Sequence, residues 1–228
     1  MKFLIALIGI FLLLNPVQAE ESLLKTQKDK KSYAIGMDIG KNLKKQQIEL
    51  NPEAISQGLR DSLTDGKTLM TEQEYRDTMT AFSNEIKQKQ KAQMQGVGDM
   101  NKKEGEKFLA DNKKKEGVVT TASGLQYKVI TRGTGASPKS TDTVSVHYKG
   151  TLIDGKEFDS SYRRGEPASF PVNGVIKGWT EALQLMKVGS KWQLFIPSEL
   201  AYGGRGAGRD IGPNSTLMFD VELLSIKE

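Results

Sequence analysis

The chain has no cysteine and a single histidine, His147, among 228 residues. Without cysteine there are no disulfides, thiol nucleophiles, thiolate metal sites or lipid anchors attached through sulfur. One histidine cannot build a His-based metal site, and neither a metal nor a cofactor is expected. Charge of one sign is not concentrated anywhere. Residues 20–115 carry 19 basic against 16 acidic groups and residues 116–228 carry 13 against 12, so the net +5 is spread thinly. Phosphate backbones select concentrated basic surfaces, and no nucleic-acid partner is expected. Long apolar runs are also missing, apart from Phe3–Leu14. That run is shorter than the ~20 residues a spanning helix needs.

Lys2 before the apolar run, and Val17-Gln18-Ala19 after Asn15-Pro16, form the pattern of a secretory signal cleaved after residue 19. An uncleaved anchor is the alternative. Cleavage leaves no integral membrane span and a mature chain starting at Glu20, outside the cytoplasm. Export without cysteine lipidation points to a bacterial periplasm or surface.

From residue 22 to 115 the apolar spacing is helical. The first helix runs near Thr26 to Lys45, with Ile35, Ile39 and Leu43 four apart. Asn51-Pro52-Glu53 supplies a cap, a first-turn proline and an acidic residue at the positive end of a second helix. Thr71-x-x-Glu74 is a capping box opening a third, whose face is Tyr75, Met79, Phe82 and Ile86. Beyond Ile86 the pattern is polar all round, as in a helix bridging through solvent. If helical to Asn112 it would span ~60 Å; Gly96, Gly98 and Gly105 admit a disordered linker instead. These thin helices make a poor core alone, which favours homodimerisation over a self-contained hairpin.

From about residue 117 the chain alternates as strands. Leu125, Tyr127 and Val129 share a face, as do Val144, Val146 and Tyr148, and Asp154-Gly155 marks a hairpin. Trp179, Ala182, Leu183 and Met186 give one short amphipathic helix. Lys191–Pro197 and Thr216–Ile226 are further strands, and the glycine-rich segment 198–215 between them reads as a flap beside a site. A helix against a twisted antiparallel sheet is an α+β arrangement. Parity sets His147 opposite Val146 and Tyr148, away from any buried pocket, and sets Glu157 and Asp159 opposite Phe158. No hydrolytic constellation results.

Five stretches carry a resemblance: Val146-His147-Tyr148-Lys149-Gly150, Asp154 to Ser161, Val175-Ile176-Lys177-Gly178-Trp179, Ala201-Tyr202-Gly203, and Ile211-Gly212-Pro213-Asn214 with Leu217-Met218-Phe219-Asp220. Residues 124–228 resemble the FKBP-type peptidyl-prolyl cis-trans isomerase domain. The whole chain is similar to the macrophage infectivity potentiator branch, whose members are periplasmic or surface homodimers. The resemblance implies a signal peptide (1–19), an N-terminal helical dimerisation domain (20–70), a long linking helix (71–115) and an isomerase domain (116–228). It implies catalytic roles for Asp159, Tyr202, Phe158 and Trp179, and substrate binding by Tyr148, Val175, Ile176 and Phe219. Trp179 would be the floor under the proline ring. Ala168 stands where small members have an aromatic wall, and the flap tip Arg205–Asp210 matches nothing closely. Proline-containing polypeptides are the implied clients and macrolides the implied ligands, in the periplasm, outer membrane or surface of a Gram-negative bacterium. A holdase chaperone, or a virulence-related surface factor contacting a host, is the alternative, with isomerisation incidental.

Overall fold

A computed structural model describes residues 23–45, 48–64 and 66–227. The expected signal segment lies outside them. No helix among the described residues is long and apolar enough to cross a membrane. The chain divides into two compact units, residues 1–76 and 77–228.

In the first unit local capping defines each helix. Helix α1 (Gln27–Lys45) starts where the Asp29 carboxylate accepts from the Thr26 N–H at 2.8 Å and Thr26 Oγ1 accepts from the Asp29 N–H at 3.1 Å. Helix α2 (Pro52–Leu63) is capped by Asn51, whose Oδ1 accepts from the Glu53 and Ala54 N–H groups. Helix α3 (Glu72–Asn112) opens on the expected capping box: Glu74 accepts from the Thr71 N–H at 2.8 Å, and Thr71 Oγ1 accepts from the Glu74 N–H at 3.2 Å. Each such cap satisfies backbone donors that a helix start leaves open. Packing adds little here. Neither α1 nor α2 buries a single residue, and Tyr33, Ile35, Leu63 and Leu69 are all more than half exposed.

The second unit holds a seven-stranded antiparallel sheet in the order β1-β2-β6-β7-β3-β4. Its strands are β1 (Val118–Thr120), β2 (Gln126–Thr131), β3 (Thr143–Leu152), β4 (Glu157–Ser160), β5 (Ala168–Pro171), β6 (Lys191–Ile196) and β7 (Leu217–Lys227). β4 and β5 share the edge of β3 that faces away from β7. A one-turn helix, α4 (Ser161–Arg164), follows β4, and α5 (Lys177–Leu185) packs on the sheet. Period-two alternation explains the core. Val144, Val146 and Tyr148 of β3 and Leu217, Phe219, Val221 and Leu223 of β7 are buried against Trp179, Ala182 and Leu183 of α5.

The long helix corrects one expectation. It is continuous to Asn112, and its C-terminal part does not merely bridge through solvent. Gly98, Gly105 and Asn112, seven apart, are its buried residues, with half-buried Asn101 and Phe108 between them. That is a heptad seam written in glycine, asparagine and one aromatic, so a search for apolar residues passes over it. Phe108 meets Phe195 of β6 at 5.9 Å between ring centroids. Gln126 Nε2 donates to the Leu109 carbonyl at 2.9 Å, and Asn112 Nδ2 donates to Gln126 Oε1 at 3.0 Å. These bonds let a glutamine lie buried in β2, on the face opposite Leu125 and Tyr127.

Candidate active site

An open cavity of about 680 Å³ lies where β3, β4, β5, β7, the start of α5 and the flap converge. Its floor is Trp179, 4% exposed, in the first turn of α5. Three rings meet this indole edge-on: Tyr148 at 5.3 Å, Phe219 at 5.2 Å and Phe170 at 5.9 Å. Edge-to-face contact is the arrangement aromatic quadrupoles favour, and it locks the floor. The buried indole N–H has no hydrogen-bond partner among the described residues. Phe158 stands edge-on to Phe219 at 5.5 Å. Both rings lie over Gly150, where an added Cβ would fall 2.6–2.7 Å from them. Only glycine permits this approach.

Asp159 lies in the same cavity, which strand parity alone does not allow. Gly150 pairs with Asp159, whereas its neighbour Thr151 pairs with Glu157. Phe158 is the extra residue of a β-bulge, and the bulge turns Phe158 and Asp159 toward one cavity instead of opposite faces. This overturns the placement of Asp159 away from Phe158.

Asp159 is held by three donors. Tyr148 Oη–H donates to Oδ2 at 2.5 Å, while Oδ1 accepts from the Ser160 N–H at 2.8 Å and from Arg164 Nη1 at 2.6 Å. Arg164 Nη2 also donates to Tyr148 Oη at 2.8 Å, closing a triangle. Arg164 gets there because Ser160 caps α4, its Oγ accepting from the Arg163 N–H. Burial pushes the Asp159 carboxyl up, but the Tyr148, Arg164 and Ser160 donors together outweigh it and hold the carboxyl below the ordinary 3.8. Burial first, then the Asp159 anion, push the Tyr148 phenol up, so it stays a donor.

A depressed carboxyl stabilises the network above its unfolded value and loses that contribution as pH falls through the lower folded value. The rate of any step that uses this anion is therefore expected to be flat on the acid side from roughly pH 8 to pH 5. A pH–rate profile checks this; a fall centred near pH 6 would contradict it.

The remaining expected site residues also line the cavity. Val175 and Ile176 lead into α5, and among the described residues no group accepts from the Ile176 N–H. Tyr202, 42% exposed, presents a hydroxyl with no hydrogen-bond partner among the described residues. The flap is ordered by two 3₁₀ turns and an Ala207–Ile211 bridge, and residues 207–211 form one wall. Lys156 of the β3–β4 hairpin donates to Asp210 at the flap tip at 2.7 Å. His147 is on the far side of β3, stacked on Tyr162 at 4.7 Å. No cluster of His, Asp and Glu suited to a metal occurs among the described residues.

Sequence reasoning missed Arg164, Phe170 and the flap wall. Phe170 shares a face of β5 with Ala168, and it supplies the wall ring that the small Ala168 does not. Parity from Ala168 could have found it. Arg164 has no such signal, since only the turn of α4 brings it back to Asp159.

An open aromatic box that holds the fixed Asp159 anion and the free Tyr202 hydroxyl and Ile176 N–H, with no serine, cysteine, lysine or histidine in its lining, suits a reaction that rotates a bond without cleaving one. Comparison with known proteins agrees. A family model described as FKBP-type peptidyl-prolyl cis-trans isomerase matches residues 135–224, and one described as the domain amino terminal to it matches residues 28–129. The chain is 45% identical to the outer membrane protein MIP of Legionella longbeachae, covering 98% of this chain and 96% of that protein. It is 53% identical to the FKBP-type 22 kDa peptidyl-prolyl cis-trans isomerase of Escherichia coli, covering 86% and 93%. The crystal structure of FkpA from Escherichia coli superposes with a TM-score of 0.74 at 44% identity, over 89% of this chain and 98% of that one. The chain belongs to the FKBP-type peptidyl-prolyl cis-trans isomerases.

Proposed function

We propose that the cavity speeds X–Pro rotation in exported proteins by drying the amide and favouring its twisted form. The floor of Trp179 under three edge-on rings carries this reading. Amide resonance sets a barrier near ~20 kcal/mol, and water stabilises the planar, more dipolar ground state. An aromatic box withholds that solvation, so the less dipolar twisted form binds relatively better. The proline ring rests on Trp179 between Tyr148, Phe158, Val175 and Phe219. The Tyr202 hydroxyl and the Ile176 N–H take up substrate carbonyls. As resonance is lost the carbonyl carbon becomes more electrophilic, and Asp159 offers it a fixed negative charge. The reaction uses no cofactor, and macrolides that mimic a proline-flanking carbonyl pair fit the same box.

We further propose that the division into residues 20–70, 71–115 and 116–228 corresponds to dimerisation, linking and catalysis, after removal of residues 1–19. The apolar residues that α1 and α2 leave exposed support a homodimer, since a second copy would bury them. We place the chain in the periplasm, outer membrane or surface of a Gram-negative cell, a reading to which the Legionella relative's name, an outer membrane protein, lends support. The same exposed faces favour holdase activity as a second reading.

Proline-limited refolding of a whole-protein client, alongside isomerisation of a proline tetrapeptide, tests these readings. Catalysis of both is expected, with a dimeric mass by light scattering. Suppressed client aggregation with no rate increase on either substrate would leave the holdase reading alone.

A further inference from the structure

The contacts of the α3 seam are concentrated on one target. Besides the sheet, they fall on Gly212–Thr216, the segment that joins the flap to β7. Asn101 Nδ2 donates to the Pro213 carbonyl at 2.8 Å and lies 3.3 Å from Ser215 Oγ. Asn214 Nδ2 donates in return to the Gly98 carbonyl at 3.2 Å. To reach it, Asn214 adopts φ 55°, the one positive φ outside glycine among the described residues. Such a conformation costs energy for a residue with a Cβ and persists where surrounding contacts hold it.

Close approach is built in on both sides. A Cβ on Gly105 would fall 2.3 Å from Thr216 Oγ1, and one on Gly98 would fall 3.1 Å from the Pro213 ring. Across the gap, a Cβ on Gly212 would fall 3.0 Å from Asn101 Nδ2. Helix and loop therefore meet nearly backbone to backbone, and small shifts of one are felt by the other.

The anchored segment controls both ends of the cavity wall. Ile211, the last wall residue, is bonded directly to Gly212. At the other end, the Asn214 N–H donates to the Gly203 carbonyl at 2.8 Å, next to Tyr202. One clasp thus fixes the root of the 207–211 wall and the backbone that carries the Tyr202 hydroxyl.

We infer that Asn101 of the long helix is a positioning residue for isomerisation: by holding Pro213 and Ser215 it sets the flap wall and Tyr202 against the substrate. Asn101 touches no substrate. The long helix is then part of the catalytic apparatus and not a spacer, and its residues 98–112 belong with the sheet. The inference rests on the cavity being the isomerising site.

The test uses the full chain with Asn101→Ala and Asn101→Asp. Ala removes the donor; Asp keeps the side chain's shape but turns an oxygen toward the Pro213 carbonyl. For a proline tetrapeptide, kcat/KM should fall about tenfold in the Ala variant, the effect of one lost hydrogen bond on a transition state, and at least as far in the Asp variant. Amide exchange at Ala207 and Ile211, which donate to each other's carbonyls, should accelerate while that of β3 and β7 does not. Parent-like kcat/KM in both variants, with Asp159→Leu strongly impaired, would overturn the inference. So would an Asp variant closer to the parent than the Ala variant, or faster exchange in β3 and β7 to the same degree. Full activity of both Asp159→Leu and Trp179→Ala would overturn the cavity assignment itself, and this inference with it.

Discussion

Asp159→Leu is expected to lower kcat/KM for a proline peptide by about 30- to 100-fold, the effect of losing a charged interaction at the transition state. The leucine removes the fixed anion and leaves the Tyr148 hydroxyl and the Arg164 guanidinium without their shared acceptor. Folding should suffer little. The Asp159 and Arg164 side chains are 41% and 43% exposed, so Arg164 can turn to water, and exposed ion pairs contribute at most about 1 kcal/mol. Asp159→Asn separates charge from geometry. It keeps an acceptor for Tyr148 but not the negative charge, and should fall between parent and Leu. Peptide isomerisation together with a urea midpoint checks both points. A parent-like rate in the Leu variant would remove Asp159 from the mechanism.

Trp179→Ala should have the largest effect on stability. The family resemblance treats Trp179 as the floor of the pocket. Its burial, and its contacts with Tyr148, Phe170 and Phe219, make it equally a core residue. Truncating such an indole costs about 3–5 kcal/mol, a large share of the 5–15 kcal/mol typical of a folded domain. The urea midpoint should drop by about 2 M, given the usual dependence of stability on denaturant. Loss of activity in this variant would not by itself report on chemistry. Trp179→Phe is the cleaner probe. It keeps a ring on the floor and removes the indole N–H, which has no partner among the described residues. The Phe variant leaves a smaller cavity than full truncation and should unfold at a higher urea concentration than the Ala variant. Its shorter ring leaves the proline less covered, so KM should rise while the fold is retained. If the Ala variant unfolds at the parent's urea concentration, the indole is not a core element.

Much of the site is legible before any coordinates. Tyr148, Phe158, Trp179 and Phe219 lie in the stretches that carry the family resemblance, and all four line the cavity. Tyr148 and Phe219 could be assigned to buried faces because β3 and β7 alternate cleanly there. Asp159 could not be placed by the same rule. A bulge depends on how β4 pairs with β3, and pairing is not a property of either segment alone. Arg164 escapes for a related reason: its distance to Asp159 is set by a single turn of helix after the strand. The flap is readable as a flap from its glycines. That its tip forms a wall and meets Lys156 depends on a hairpin residue 54 positions earlier.

The sequence by itself determined the helix starts, the strand alternation, the hairpin and the family, because capping, periodicity and motif are local properties. Only the tertiary structure decided the packing of the long helix. Hydropathy reads Gly98, Asn101, Gly105 and Asn112 as a polar surface, since it registers the side chains present. This interface works through side chains that are absent, which let two backbones approach, and through amides whose partners lie far along the chain. Neither property has a value until both surfaces are in contact.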